Sequence, residues 1–335
     1  MALDPDTRNQ PPPPSRGKRL RARLRRATLT RVPLGLSRGR LGDGSRLRQL
    51  HVIERELVLP DLPDELHGLR MVHLSDLHTG DLLPVERVAD IVTAANELEA
   101  DLIALTGDFI DYHLDGVVEP LIEQLARLTA PLGVVAVLGN HDHLVDGPRL
   151  AEQLRATDLT LLIDERITVR RGDTQIAITG IDFARTPAAL GRHLRRAGTP
   201  PEADLNLLLS HHPDVFDAGE AEDYDITLAG HTHGGQVVVS RHRGRKGSMG
   251  LGSLAFRYPH GLYHRHHRYL HVTAGVGSWF PLRVRCPAEI AVLTLRSGPE
   301  PDEGPSQPAS ATVCRTGLHR RIIDLGACKP GQDQG

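Results

Sequence analysis

The chain has 335 residues, 39% of them apolar and 24% charged, which is enough for one large domain or two small ones around a sizeable core. Aromatic residues make up only 3%, so the core must be built mostly from Leu, Val, Ile and Ala, and no apolar run approaches the roughly 20 residues of a membrane span. The net charge of −2 hides an asymmetry: residues 1–50 hold thirteen Lys and Arg against three Asp, a net +10, so the remainder carries −12.

Residues 1–49 contain four consecutive prolines and an Arg-rich stretch, and are expected to form a disordered basic arm. Such an arm can make peripheral contact with an anionic membrane. Nucleic acid is not expected as a partner, because the arm lacks interleaved aromatics for stacking. Arg25-Arg26 before ATLT has the look of a twin-arginine export signal, but Arg38 interrupts the following apolar run too early. A degenerate or absent signal is expected, with a cytoplasmic location. Cys286, Cys314 and Cys328 are scattered and odd in number, which supports neither a disulfide framework nor a zinc finger.

A folded domain is expected over 50–296. Met71 to Leu74 reads as a short apolar strand, and Val85 to Glu99 carries apolar residues at helical spacing. Leu102 to Leu105 is a second strand, Val118 to Leu128 a second helix and Val134 to Leu138 a third strand. Further strands are expected at 167–171, 175–180, 205–209, 226–229, 235–239, 269–273 and 289–295. The β-α-β first half and hairpin-rich second half predict an α/β sandwich with mixed sheets. From 297 the sequence SGPEPDEGPSQPASAT begins a mostly disordered tail, with an ordered patch expected at 322–324.

The strand ends carry the chemistry. The first strand leads to Asp76 and His78, the second to Asp108, and the third to Asn140, His141 and Asp142. LNLLLS leads to His211, and ITLAG leads to His231 and His233. Ligands of α/β sheets collect at the carboxyl ends of strands. Seven candidates, Asp76, His78, Asp108, Asn140, His211, His231 and His233, are too many for one ion and suit two if a carboxylate bridges. Two such ions clamp an in-line phosphoryl displacement, with one binding the attacking hydroxide. In Asp76-x-His78 and His231-x-His233, residues i and i+2 would share one face of an extended chain, and Gly230, Gly234 and Gly235 would let the backbone turn tightly.

The series D-x-H (76–78), GD-x-x-D (107–111), GNHD (139–142), SH (210–211) and GHTH (230–233) resembles the calcineurin-like metallophosphoesterase superfamily. The wording HLSDLHTG, LTGDFID, VLGNHD, LLSHHPDVF and LAGHTHGGQV is similar to its bacterial YaeI/YkuE-like phosphodiesterase branch, over residues 50 to 296. The resemblance implies a four-layer sandwich of two mixed β-sheets flanked by helices. It implies that Asp76, His78 and His233 hold one metal with Asp108, which bridges to a second held by Asn140, His211 and His231. His141 would face the phosphate and serve the leaving oxygen, oriented by Asp111. Mixed Asp, His and Asn ligands accept Mn, Fe, Zn or Co.

The leading expectation is therefore a dinuclear hydrolase of a phosphodiester or pyrophosphate bond, acting on a phosphorylated small molecule or a lipid-linked substrate. The alternatives are a nucleotide-sugar-lipid pyrophosphatase of the envelope and a non-catalytic metal-bound scaffold. His212 competes with His211, but adjacent strand residues point to opposite faces, and the family pattern favours His211. YPHGLYHRHHRYLHV at 258–272 reads as a hairpin rimming the cleft with His266 and His267 near its tip, and Arg283 as a phosphate contact or a surface residue.

Overall fold

The unbroken apolar runs of the first half become strands covered on both faces. The computed structural model describes residues 49–112, 114–241, 248–250, 254–299, 312–313 and 319–325, together with Gly17, Leu20, Leu24 and residues 26–36 of the arm. The expected disordered tails fall largely outside these residues, as do Cys314 and Cys328.

The first sheet has seven strands in the order β16-β1-β14-β2-β3-β4-β5. They span Gln49–Leu59 (β1), Arg70–Leu74 (β2), Leu102–Leu105 (β3), Val134–Ala136 (β4), Thr160–Leu161 (β5), Glu289–Ser297 (β14) and His319–Asp324 (β16). β2, β3 and β4 pair in parallel, whereas β14 runs antiparallel to β2. Buried on both sides, they read as runs and not as alternations. The ordered patch expected at 322–324 lies in β16, which pairs antiparallel with β1.

The second sheet is also seven-stranded, in the order β15-β12-β13-β9-β8-β7-β6. Its strands are Glu165–Arg171 (β6), Thr174–Gly180 (β7), Leu205–Leu209 (β8), Ile226–Ala229 (β9), Gly261–Arg265 (β12), Arg268–Val272 (β13) and Thr312–Val313 (β15). A separate hairpin joins Val238–Arg241 (β10) to Ser248–Gly250 (β11).

The cores show the layering. Val72, Leu74, Ile103 and Leu105 pack against the helices Val85–Asn96 (α1), Val118–Leu125 (α2) and Gly147–Arg155 (α4). The opposite face, with Met71, Leu102, Ala104 and Val135, meets Ile176, Ile178, Leu205 and Leu207 of the second sheet. Leu208 then packs on Leu190 and Leu194 of Pro187–Ala197 (α5). The result is the expected four-layer sandwich: helices, sheet, sheet, helices. Fully burying each such aliphatic side chain contributes about 1.5–3 kcal/mol.

α5 has Pro187 in its first turn and is capped by Thr186, whose hydroxyl accepts from the Ala189 amide. Asn140–Val145 (α3) starts directly at the cleft. Its Asp142 carboxylate accepts from the amide of Gly139 in a capping-box arrangement.

The His-rich stretch forms the β12–β13 hairpin with His266 and His267 in its turn. Because β13 runs parallel to β9, that turn sits level with the start of β9, at the end opposite the cleft. His266 and His267 are at the tip as expected, but the expectation that the hairpin rims the cleft is corrected: only its open end, near His260, approaches it.

Candidate metal centre

All the candidate ligands lie where strands stop. Asp76, His78, Asp108, His231 and His233 have φ between +48° and +71°, the left-handed region that side chains seldom adopt. Such conformations cost about 1–3 kcal/mol each and persist where surrounding structure enforces them, typically at functional sites. This replaces the extended-chain rationale: tight left-handed turns, not one face of a strand, aim Asp76 with His78 and His231 with His233 into the cleft.

Two glycines make the close approach feasible. A Cβ on Gly139 would overlap the Asp108 carboxylate, and one on Gly230 would overlap Ser75 and Asp76. The ends of β3 and β4, and those of β2 and β9, can therefore meet only if these positions lack side chains.

The side chains converge in two adjoining groups. In the first, Nε2 of His78 lies 3.0 Å from Nε2 of His233, and Oδ1 of Asp76 lies 3.2 Å from the same His233 nitrogen. In the second, Nε2 of His211 lies 3.2 Å from both Oδ1 of Asn140 and Nδ1 of His231. Oδ2 of Asp108 stands between the groups, 3.3 Å from His78 Nε2 and 3.2 Å from His211 Nε2. Asp76, His78 and His233, and likewise Asp108, His211 and His231, present atoms close enough together to hold an ion. Among the described residues such groups occur only here, and the His-rich hairpin supplies none.

Tautomers follow from the hydrogen bonds. His211 Nδ1 donates to the Thr106 carbonyl at 2.6 Å, leaving the Nε2 lone pair for a cation. His141 is part-buried, stacked edge-on to His78 with ring centroids 4.5 Å apart. Its Nδ1 donates to the Asp111 carbonyl oxygen at 3.0 Å. Asp111 Oδ1 is 3.5 Å from both His141 Nδ1 and His78 Nδ1, so this carboxylate faces two imidazoles. His212 takes no part in either group. Its Nδ1 accepts from the Asp214 amide, and its ring lies against His231.

Charge is unevenly distributed. Burial opposes a proton on His78, but Asp108 and Asp111 outweigh it and push the pKa up to about 10. Burial likewise opposes the raised value of His211, pushed up to about 9 chiefly by Asp108. His231 and His233 are held well below the ordinary range by burial and by neighbouring cationic imidazoles. Burial works against ionised Asp108, but His211 and His141 hold its carboxyl well below the usual range. Facing lone pairs beside buried carboxylates fit a divalent cation, which would replace the protons on His78 and His211.

The supporting roles of three groups went unread in the sequence. The Asp142 carboxylate accepts from the amides of Asp108, Phe109 and Gly139 at 2.8–2.9 Å, binding the ends of β3 and β4 together. Burial and the Asp108 charge push its pKa up to about 6. Its place three residues after Gly139 was the available signal. Thr106 orients His211 through its carbonyl, and its hydroxyl lies 2.8 Å from Nε2 of buried His73. Part-buried Arg283 directs its guanidinium to the carbonyls of Ala274, Gly275, Gly277 and Cys286, and lies 3.5 Å from His233 Nδ1. It is not a free surface residue: these bonds fasten the loop behind His233.

Comparison with known proteins agrees with this geometry. The model of the calcineurin-like phosphoesterase family matches residues 69–235, which span every candidate ligand. The metallophosphoesterase YkuE of Bacillus subtilis is 31% identical over 258 residues, covering 74% of this chain and 84% of YkuE. The chain belongs to the calcineurin-like phosphoesterases. Phosphodiesterase YaeI of Escherichia coli is 27% identical over 238 residues, covering 69% of this chain and 84% of YaeI. As a calcineurin-like phosphoesterase, the chain is a metal-dependent phosphoric ester hydrolase with a candidate divalent-cation site at its strand ends. No helix among the described residues is long and apolar enough to cross a membrane.

Proposed function

We propose that this hydrolase holds two divalent cations and cleaves a phosphodiester or pyrophosphate bond. The observation that carries the reading is Asp108 Oδ2, which lies 3.3 Å from one imidazole group and 3.2 Å from the other. A single carboxylate oxygen in that position is suited to bridging. Asp76, His78 and His233 would hold one ion, and Asn140, His211 and His231 the other. Bound there, the cations would supply Lewis-acid stabilisation of the phosphoryl oxygens and an activated water at neutral pH.

The chain's own groups divide the remaining work. His141 has Nδ1 tied to the Asp111 carbonyl, so its Nε2 is the atom left to pass a proton to a leaving oxygen. Asp111 fixes that ring through its carbonyl, and its carboxylate faces the His78 ring. Asp142 keeps the loop carrying Asp108 rigid, and the Thr106 carbonyl fixes the tautomer of His211. The substrate class is a phosphorylated small molecule or a lipid-linked ester, with the basic arm making peripheral contact with anionic membrane. A non-catalytic scaffold has no use for His141, whose contacts serve no other evident purpose.

The test is a substrate panel on metal-stripped protein reloaded with Mn, Fe, Zn or Co in turn. Restored hydrolysis of diesters or pyrophosphates, and little of monoesters, is the expected result. Absence of hydrolysis with every ion and substrate would leave the scaffold reading standing.

A further inference from the structure

We propose that the mouth of the catalytic cleft docks on an anionic lipid surface through a rim of exposed apolar side chains between residues 254 and 284. The first observation is how the chain spends its few aromatics. Of eleven, six are buried in the cores and the remaining five are half-buried at the cleft. Tyr112 lies on His141 with centroids 5.3 Å apart, and Phe183 and Phe256 lie 5.7 Å and 5.6 Å from His231. Trp279 and Phe280 stack edge-on to one another. Both are tied to Gln236, three residues beyond His233: its side chain accepts from the Trp279 amide and donates to the Phe280 carbonyl.

The second observation is what lies within four residues of Phe256 and Phe280 in the chain. Leu254 is 86% exposed, Leu282 41% and Val284 38%. Beyond the arm, only Ile322 joins them among the exposed large apolar side chains of the described residues. Single exposed aliphatics need no explanation, but a group of them flanking half-buried Trp and Phe at one cleft does. Aromatic rings with one wet edge and aliphatics beside them suit the boundary between headgroups and acyl chains.

Charge selects the partner. The body of the chain is acidic, so an anionic surface would repel most of it. In the sequence, four residues beyond GHTHGGQ, stands RHRGRKG, with four Arg and Lys and no acid. Arg285, beside the rim, is exposed. The arm adds a second contact at the same mouth. Arg31 lies 3.9 Å from Asp81, three residues after His78. Leu20, Leu24, Val32 and Leu36, spaced by multiples of four, are all exposed. Arg and Lys interleaved with exposed aliphatic residues is the composition of a segment that lies in a membrane interface. The rim would therefore turn the catalytic cleft toward the bilayer, with the arm alongside it.

The experiment uses the full chain and vesicles of phosphatidylcholine with or without phosphatidylglycerol, scored by co-sedimentation. Soluble turnover is read separately with bis(p-nitrophenyl) phosphate in the absence of vesicles. Wild type is expected to bind the phosphatidylglycerol vesicles, and to release them as salt rises. A Leu254→Ser, Leu282→Ser double variant should bind on the order of a hundredfold more weakly, since each inserted leucine accounts for about tenfold or more. Its soluble turnover should be unchanged. A Leu20→Ser, Leu24→Ser variant should lose part of the binding. Wild type that fails to bind phosphatidylglycerol vesicles, or a rim variant that binds like wild type, overturns the proposal. So does wild-type self-association, without vesicles, that the rim variant abolishes, because the rim would then face a second copy. Binding is read without turnover, so failure of the phosphoesterase reading would show separately, as inactive protein that still binds.

Discussion

The interior of each strand and its carboxyl end obey opposite rules. Inside β3, Leu102–Leu105 are fully buried aliphatics in extended backbone, packed between helices and the second sheet. Three residues later Asp108 is equally buried, but it is charged, left-handed in φ and surrounded by imidazoles. The same change to left-handed backbone occurs between β2 and Asp76, and between β9 and His231. The interior supplies stability through apolar area. The ends consume some of it, through strain and through buried carboxylates. The lesson is that the sandwich is a rigid frame whose surplus stability holds an arrangement that would not form by itself.

If that division is right, substitutions at the two places should fail in different ways. The largest effect is expected at the ends. Asp108→Asn keeps the shape and removes the shared charge, and hydrolysis should fall about 10⁴-fold or more. Thermal unfolding of the ion-free protein should be little changed. A large loss of stability with activity per folded molecule retained would break the comparison.

His141→Ala sharpens it within the cleft. Turnover of a substrate with a poor leaving group should drop about 10²–10⁴-fold, the range of a lost general acid. With p-nitrophenolate, which departs without a proton, the loss should be smaller, and bound metal should be unchanged. Equal losses on both substrates, together with a missing ion, would make His141 a ligand instead.

The interior should answer differently. Leu207→Ala, between the sheets, should destabilise the fold by about 2–5 kcal/mol in denaturant titration. Turnover per folded molecule should stay near wild type. A variant stable but inactive would mean that strand interiors and ends are not separable.

The smallest effect concerns the polar group nearest the boundary. His73 is fully buried, with Nδ1 2.9 Å from Nδ1 of His271 on the other sheet. Burial holds its pKa down at about 3, while the unfolded chain takes up that proton near 6.5. Between those values the unfolded state binds more protons, so stability falls as pH drops below about 6.5. This residue contributes up to about 1.4 kcal/mol per pH unit. His73→Gln should flatten the stability profile by that one proton between pH 6 and 4. An unchanged slope would show that His73 is already protonated in the fold.

Much of the frame was legible because doubly covered strands are short apolar runs. The expected bounds at 102–105, 205–209 and 226–229 are those observed. β1 was not legible, since Glu54, Arg55 and Glu56 interrupt its apolar residues, and Arg55 is buried despite its charge. α4 and α5 also went unread, as did the direction of the His-rich hairpin, which depends on β13 pairing with β9 more than forty residues away in the chain. At the cleft, the residue types and their places after apolar runs could be read. The left-handed turns could not, and neither could the parts played by Asp142, Thr106 and Arg283. Their roles are hydrogen bonds to backbone atoms of other loops, and those bonds arise only once the sheets are stacked.

The central claim is that Asp108 joins two cations at the strand ends. Elemental analysis of the purified protein and of Asp108→Ala, each reloaded with excess Mn or Zn and desalted, tests it most directly. The account predicts about two ions per chain in the wild type, by the ligand count of the two groups. In the variant it predicts one or none, with hydrolysis lost in parallel. Two ions per chain retained in Asp108→Ala, or a fully active wild type carrying a single ion, would contradict it.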